Sequence, residues 1–122
     1  MAMEVHLVTC DFGSVNGTGP FPAAYLPAEG GAVSIIDAYL IGSGAGTSIG
    51  AKLVSITDAG TPATANGTVG SFAGTVVYAA NARAACTVSA PAVSGGNWIG
   101  VEQTSGTTPI SARLVFSYVM GK

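Results

Sequence analysis

Ile110-Ser111-Ala112-Arg113-Leu114-Val115-Phe116-Ser117-Tyr118-Val119-Met120 alternates with a period of two. Ile110, Ala112, Leu114, Phe116, Tyr118 and Met120 fall on one face, and Ser111, Arg113, Val115, Ser117 and Val119 on the other. Successive side chains of an extended chain point to opposite sides of a sheet. The stretch therefore predicts a long strand whose even-numbered face lies in a core.

The same rhythm runs outward from it. Met3, Val5 and Leu7 alternate with Glu4, His6 and Val8, which predicts a first strand with Glu4 and His6 on its solvent side. Ala32 to Ile41 (AVSIIDAYLI) is β-branched and continuous, bounded by Gly30-Gly31 and Gly42-Ser43-Gly44; it reads as a central strand. Ala51 to Thr57, Gly74 to Tyr78, Ala85 to Ser89 and Asn97 to Gln103 read as further strands, with Phe21 to Leu26 a proline-flanked edge segment. Asn16-Gly17 and Asn66-Gly67 read as turns. No window carries a 3.6-residue stripe. Eight short strands with Gly, Pro, Asn and Ser at their junctions predict an all-β, antiparallel β-sandwich occupying residues 1–122 as a single domain. A jelly roll of about eight strands suits this length best. The alternative is an immunoglobulin-like sandwich, which the order Cys10, Cys86, Trp98 does not favour, because the tryptophan follows both cysteines.

Composition narrows the function. The 122 residues leave no room for a second core. Only four Lys+Arg and six Asp+Glu are present, 8% of the chain, where an ordinary domain carries about 25%. Four cations against six anions exclude a basic nucleic-acid binder and a polybasic membrane-surface protein. Eighteen Gly and six Pro make the chain loop-rich, yet the hydrophobic fraction of 48% is that of a folded domain. So few charges cannot clothe a solitary particle in the usual way. Neighbouring chains are expected to cover part of the exterior. The opening Met1-Ala2-Met3-Glu4 lacks the positive start of a signal peptide, which predicts synthesis in the cytoplasm.

No constellation of catalytic side chains emerges, and no cofactor is expected. The one histidine, His6, is expected at the surface or in an interface. Glu4, Asp11, Glu29, Asp37, Asp58 and Glu102 are scattered singly, without a paired acid and base. Asp37, inside an apolar run, is expected either to point out of the sheet or to meet Lys52, Arg83 or Arg113 across a subunit boundary. Cys10 and Cys86 lie too far apart for a metal or redox couplet and read as buried, reduced thiols. Gly42 to Gly50 is glycine-rich, but Ala51 and Lys52 follow where a phosphate loop requires Lys-Ser or Lys-Thr. Asn16-Gly17-Thr18 and Asn66-Gly67-Thr68 match the glycosylation pattern, which matters only on a secretory route. Trp98 reads as a core or subunit-interface anchor; in a carbohydrate-binding module it would stack on a sugar, with Tyr78 as a companion.

Three segments carry a resemblance: Gly74-Thr75-Val76-Val77; the Pro91 loop followed by Gly95-Gly96-Asn97-Trp98-Ile99-Gly100-Val101-Glu102; and Ala112 to Lys122. Together they resemble small virion proteins of tailed bacteriophages, the jelly-roll decoration or cement proteins that bind the outside of a capsid, commonly as trimers. The resemblance implies a non-enzymatic structural role in the virion, with a homotrimer and the major capsid protein as partners. It brings no binding residue with it.

Overall fold

The computed structural model describes residues 5–11, 20–27, 31–42, 48–56, 65–72, 76–77, 83–105 and 112–120. Among these described residues there are ten strands: β1 (Val5–Asp11), β2 (Phe21–Tyr25), β3 (Ala32–Gly42), β4 (Ser48–Ile56), β5 (Ala65–Phe72), β6 (Val76–Val77), β7 (Arg83–Val88), β8 (Ala92–Ser94), β9 (Trp98–Ser105) and β10 (Ala112–Met120). No helix occurs among the described residues.

The eight strands other than β6 and β8 are nested. The first pairs with the last (β1 with β10), the second with the second-last (β2 with β9), the third with the third-last (β3 with β7), and the middle two with each other (β4 with β5), all antiparallel. This wrapping is the jelly roll. It displaces the immunoglobulin-like alternative, in which the first two strands pair with each other. β10 with β3 and β4 with β9 complete two four-stranded sheets, β1-β10-β3-β7 and β2-β9-β4-β5. Along one side the sheets are joined by a short ladder, Gly70 with Val88, Ser71 with Thr87 and Phe72 with Cys86. On the opposite side the end strands β1 and β2 approach each other, and the Cys10 thiol donates to the Ala23 carbonyl at 3.2 Å. The sandwich is thereby nearly closed into a barrel.

Core side chains come from the inward face of each strand. Leu114, Phe116 and Tyr118 of β10 meet Val33, Ile35, Ala38 and Leu40 of β3, Leu53 of β4, Val69 and Phe72 of β5, and Ile99 and Val101 of β9 in one buried cluster. The even-numbered face of β10 is thus the core face, as its alternation requires.

β3 explains why its own sequence looked continuous. Val33 and Ile35 point inward before residue 36, and Ala38 and Leu40 after it. The change of parity is absorbed by a bulge: Ser117 pairs with Asp37 and Tyr118 with Ile35, which leaves Ile36 without a partner on β10. Ile36 and Asp37 are consequently both exposed. A one-residue insertion in the ladder thus places two apolar residues, Ile35 and Ile36, side by side and shifts the alternation by one beyond them.

Two expectations are corrected. The phase of β1 is reversed: Val5 and Leu7 face solvent, 59% and 71% exposed, while His6, Val8 and Cys10 are half-buried. Asn66-Gly67 is not a turn but part of β5, where Gly67 pairs with Ser55 and Ala65 with Ile56, so that Asn66 is the extra residue of a bulge. Of the expected strand Gly74 to Tyr78, Val76–Val77 are described and form β6, paired with the start of β4; β5, which completes the second sheet, had no counterpart among the expected strands. The three-residue β8, paired with β3, was likewise not marked by any alternation. The other Asn-Gly pair, Asn16-Gly17, lies outside the described residues.

Candidate binding surface

The outward face of β1-β10-β3-β7 carries exposed apolar side chains towards one end and charged ones at the other. Its ladder rows are Asp11, Arg113, Ile41, Arg83; then Thr9, Val115, Tyr39, Ala85; then Leu7, Ser117, Asp37; then Val5, Val119, Ser34. Charge is confined to one end and to Asp37. Arg113 donates to Asp11 at 2.7 Å, which neutralises that pair, and the Arg83 guanidinium lies 4.9 Å from the centre of the Tyr39 ring. Towards the other end, Val5, Leu7 and the bulged Ile36, 50% exposed, leave hydrocarbon in water. With 6066 Å² of accessible surface and ten charged residues, the chain carries one charge per about 600 Å², roughly a third of the usual density.

The outward face of the second sheet differs. Lys52 and Glu102 are ladder partners and form an ion pair at 3.3 Å. Val54 and Ile56 on this same side are fully buried although they stand apart from the main core cluster. Gly100 lies against them at a close approach: a Cβ there would strike the Phe21 carbonyl and come within 2.8 Å of Ile56 Cδ1. At the corner beside them Tyr25 meets Trp98 edge to face, ring centroids 5.4 Å apart, because the two are ladder partners of β2 and β9. Tyr25 is 47% exposed and Trp98 half-buried.

The candidate chemical groups stay dispersed. His6 stacks on Tyr118. Asp37 points outward, as one of its two expectations held, and its carboxylate accepts the Ala38 N–H at 3.0 Å; the three cations considered for it are engaged with Glu102, Tyr39 and Asp11. Cys10 and Cys86 are free and half-buried on different strands. Burial, followed by the charge of Asp11, raises the Cys10 thiol; burial, followed by Asp37, pushes Cys86 up to about 11. Neither is a thiolate near neutrality, so neither is poised as a nucleophile. Among the described residues no three His, Cys, Asp or Glu side chains gather into a metal site. Glu4, Glu29, Asp58 and Tyr78, and the central part of the Gly42 to Gly50 stretch, lie outside the described residues. The exposed aromatic partner of Trp98 is Tyr25, which alternation alone did not single out; the proline-flanked edge position of β2 was its only signal.

No protein-family model matches the chain, and no curated protein matches it.

Proposed function

We propose that the protein is a non-enzymatic structural component of a virion, a decoration or cement protein that assembles as a homotrimer and binds the major capsid protein on the head surface. One observation carries this reading: an outward sheet face bearing Val5, Leu7, Ile36 and Val119, on a chain with ten charged residues. Exposed apolar patches on a small domain mark surfaces that another protein covers. The jelly roll supplies a preformed face. Stabilisation follows from mass action: a chain that binds only the assembled shell shifts the equilibrium towards it.

Light scattering coupled to size-exclusion chromatography tests the oligomer, with a mass of three 11.9 kDa chains expected. Mass spectrometry of purified particles tests the location. A chain that is monomeric at every concentration removes the trimer, and its absence from particles removes the virion role.

The exposed Tyr25–Trp98 pair favours a second reading, a carbohydrate- or host-surface-binding sandwich. Binding to a glycan array that Tyr25→Ala abolishes, without change of mass, would select it.

A further inference from the structure

Among the described residues the exposed large hydrophobic side chains fall in two separate places. Val5, Leu7 and Ile36 share the outward face of β1-β10-β3-β7, and Tyr25 stands on β2 in the second sheet. The two places are also complementary in chemistry. Beside Ile36 stands Asp37, an exposed carboxylate that accepts the Ala38 N–H and that no cation among the described residues neutralises. An ionised carboxylate accepts several hydrogen bonds, so acceptor capacity remains. Tyr25 has the converse make-up: an apolar ring, braced edge to face by Trp98, and a phenolic O–H that can donate.

We propose that the Tyr25–Trp98 corner of one copy docks on Val5, Leu7, Ile36 and Asp37 of the next, so that three copies close head to tail. The ring of Tyr25 lies against the aliphatic side chains, and its O–H donates to the Asp37 carboxylate. This contact rests on the trimer reading and supplies its interface. Symmetry sets the occupant: a patch that meets itself closes at two, whereas a threefold ring needs two different patches on every copy, each meeting the other. The apolar sheet face and the aromatic corner are such a pair. Charge agrees, because the acceptor side is anionic and Tyr25 brings a donor to it. Area agrees as well. Two patches of the usual size, about 800 Å² each, take up roughly a quarter of the 6066 Å² of accessible surface. Only Asp37 among the contact residues is charged, so ring closure accounts for part of the shortage of charge on the chain.

Sedimentation velocity should give a three-chain mass for wild type. Tyr25→Lys and Ile36→Lys, both at exposed positions, should each give a single chain with an unchanged far-ultraviolet circular dichroism spectrum. Mixed at high concentration, the two variants should form a two-chain species and stop there, because the intact sheet face of the first fits the intact corner of the second and no further contact can follow. Where a lysine is not tolerated, Tyr25→Phe decides: it keeps the ring, loses the O–H and should weaken assembly about tenfold or more. Asp37→Ala should weaken it to a similar degree, and the two together no further. Wild type that is monomeric at every concentration ends the trimer reading and this contact with it. A wild-type trimer that survives Tyr25→Lys, a mixture that stays monomeric, or independent losses in Tyr25→Phe and Asp37→Ala overturns the contact and leaves the trimer standing.

Discussion

The imidazole of His6 lies over the ring of Tyr118, 5.0 Å between centroids and 19° between planes. The two residues are direct partners across β1 and β10, on the side of the sheet that faces the core. This stacking fixes the phase of β1. It tethers the inward face of an end strand to a side chain of the buried cluster, and so turns Val5 and Leu7 to solvent. His6→Ala should cost about 1 kcal/mol, the scale of an aromatic pair beyond its area. Leu7→Lys, at a 71% exposed position, should stay within about 0.5 kcal/mol. Urea denaturation at low protein concentration measures both, and equal losses would return β1 to the opposite phase.

Phe116 is among the largest fully buried side chains, 1% exposed at the centre of the cluster. Phe116→Ala should destabilise by about 3 to 5 kcal/mol, through lost transfer energy and the cavity left behind. Its neighbour Ser117 faces outward opposite Asp37, and Ser117→Ala should be nearly neutral. A loss under about 1 kcal/mol at Phe116 would place the even-numbered face of β10 outside the core.

The contrast between β10 and β1 shows how much was legible in sequence. β10 alternates over nine residues with both aromatic side chains, Phe116 and Tyr118, on one side and Arg113 and Ser117 on the other, so its phase could be read directly. β1 has apolar residues in both phases, Val5 and Leu7 against Val8 and Cys10, and only pairing with β10 decides which set turns inward. β5 was hidden for a different reason. Asn66-Gly67 carries turn chemistry, and tertiary pairing with β4 absorbs it as a bulge. The same holds for the surface: charge scarcity pointed to a covered exterior, but the Tyr25–Trp98 corner depends on a ladder between residues far apart in sequence.

Gly70 stands where the two sheets join. A Cβ there would lie 2.5 Å from the Thr87 carbonyl oxygen, 2.7 Å from Cys86 Sγ and 3.0 Å from Val88 Cα. Two of those three atoms are backbone and cannot turn aside. Gly70→Ala should therefore cost about 1 to 3 kcal/mol and loosen the β5–β7 ladder. Gly67, three residues earlier on the same strand, has nothing within 4 Å of its Cβ position, and Gly67→Ala should be neutral or slightly stabilising. Thermal denaturation of the two variants checks the contrast; similar melting temperatures would remove the close approach from the account.

The Cys86 thiol, pushed from an ordinary value of 9.0 up to about 11 by burial first and by Asp37 second, makes stability fall on the alkaline side. Between these two values the unfolded chain has lost the thiol proton while the folded chain keeps it. The native state then binds more protons, so stability declines as pH rises. The contribution is complete below about pH 9 and is lost as pH passes about 11. Tyrosine and lysine titrate in the same range, so the informative quantity is the difference between wild type and Cys86→Ala, both with Cys10→Ser. The variant should show a flatter decline across that window, and Asp37→Asn should shift the wild-type decline to lower pH by the smaller, electrostatic part. Ultraviolet thiolate absorbance gives the native titration directly. A midpoint at the ordinary value, or identical slopes with and without Cys86, would show that β7 presents this thiol to water rather than to the core.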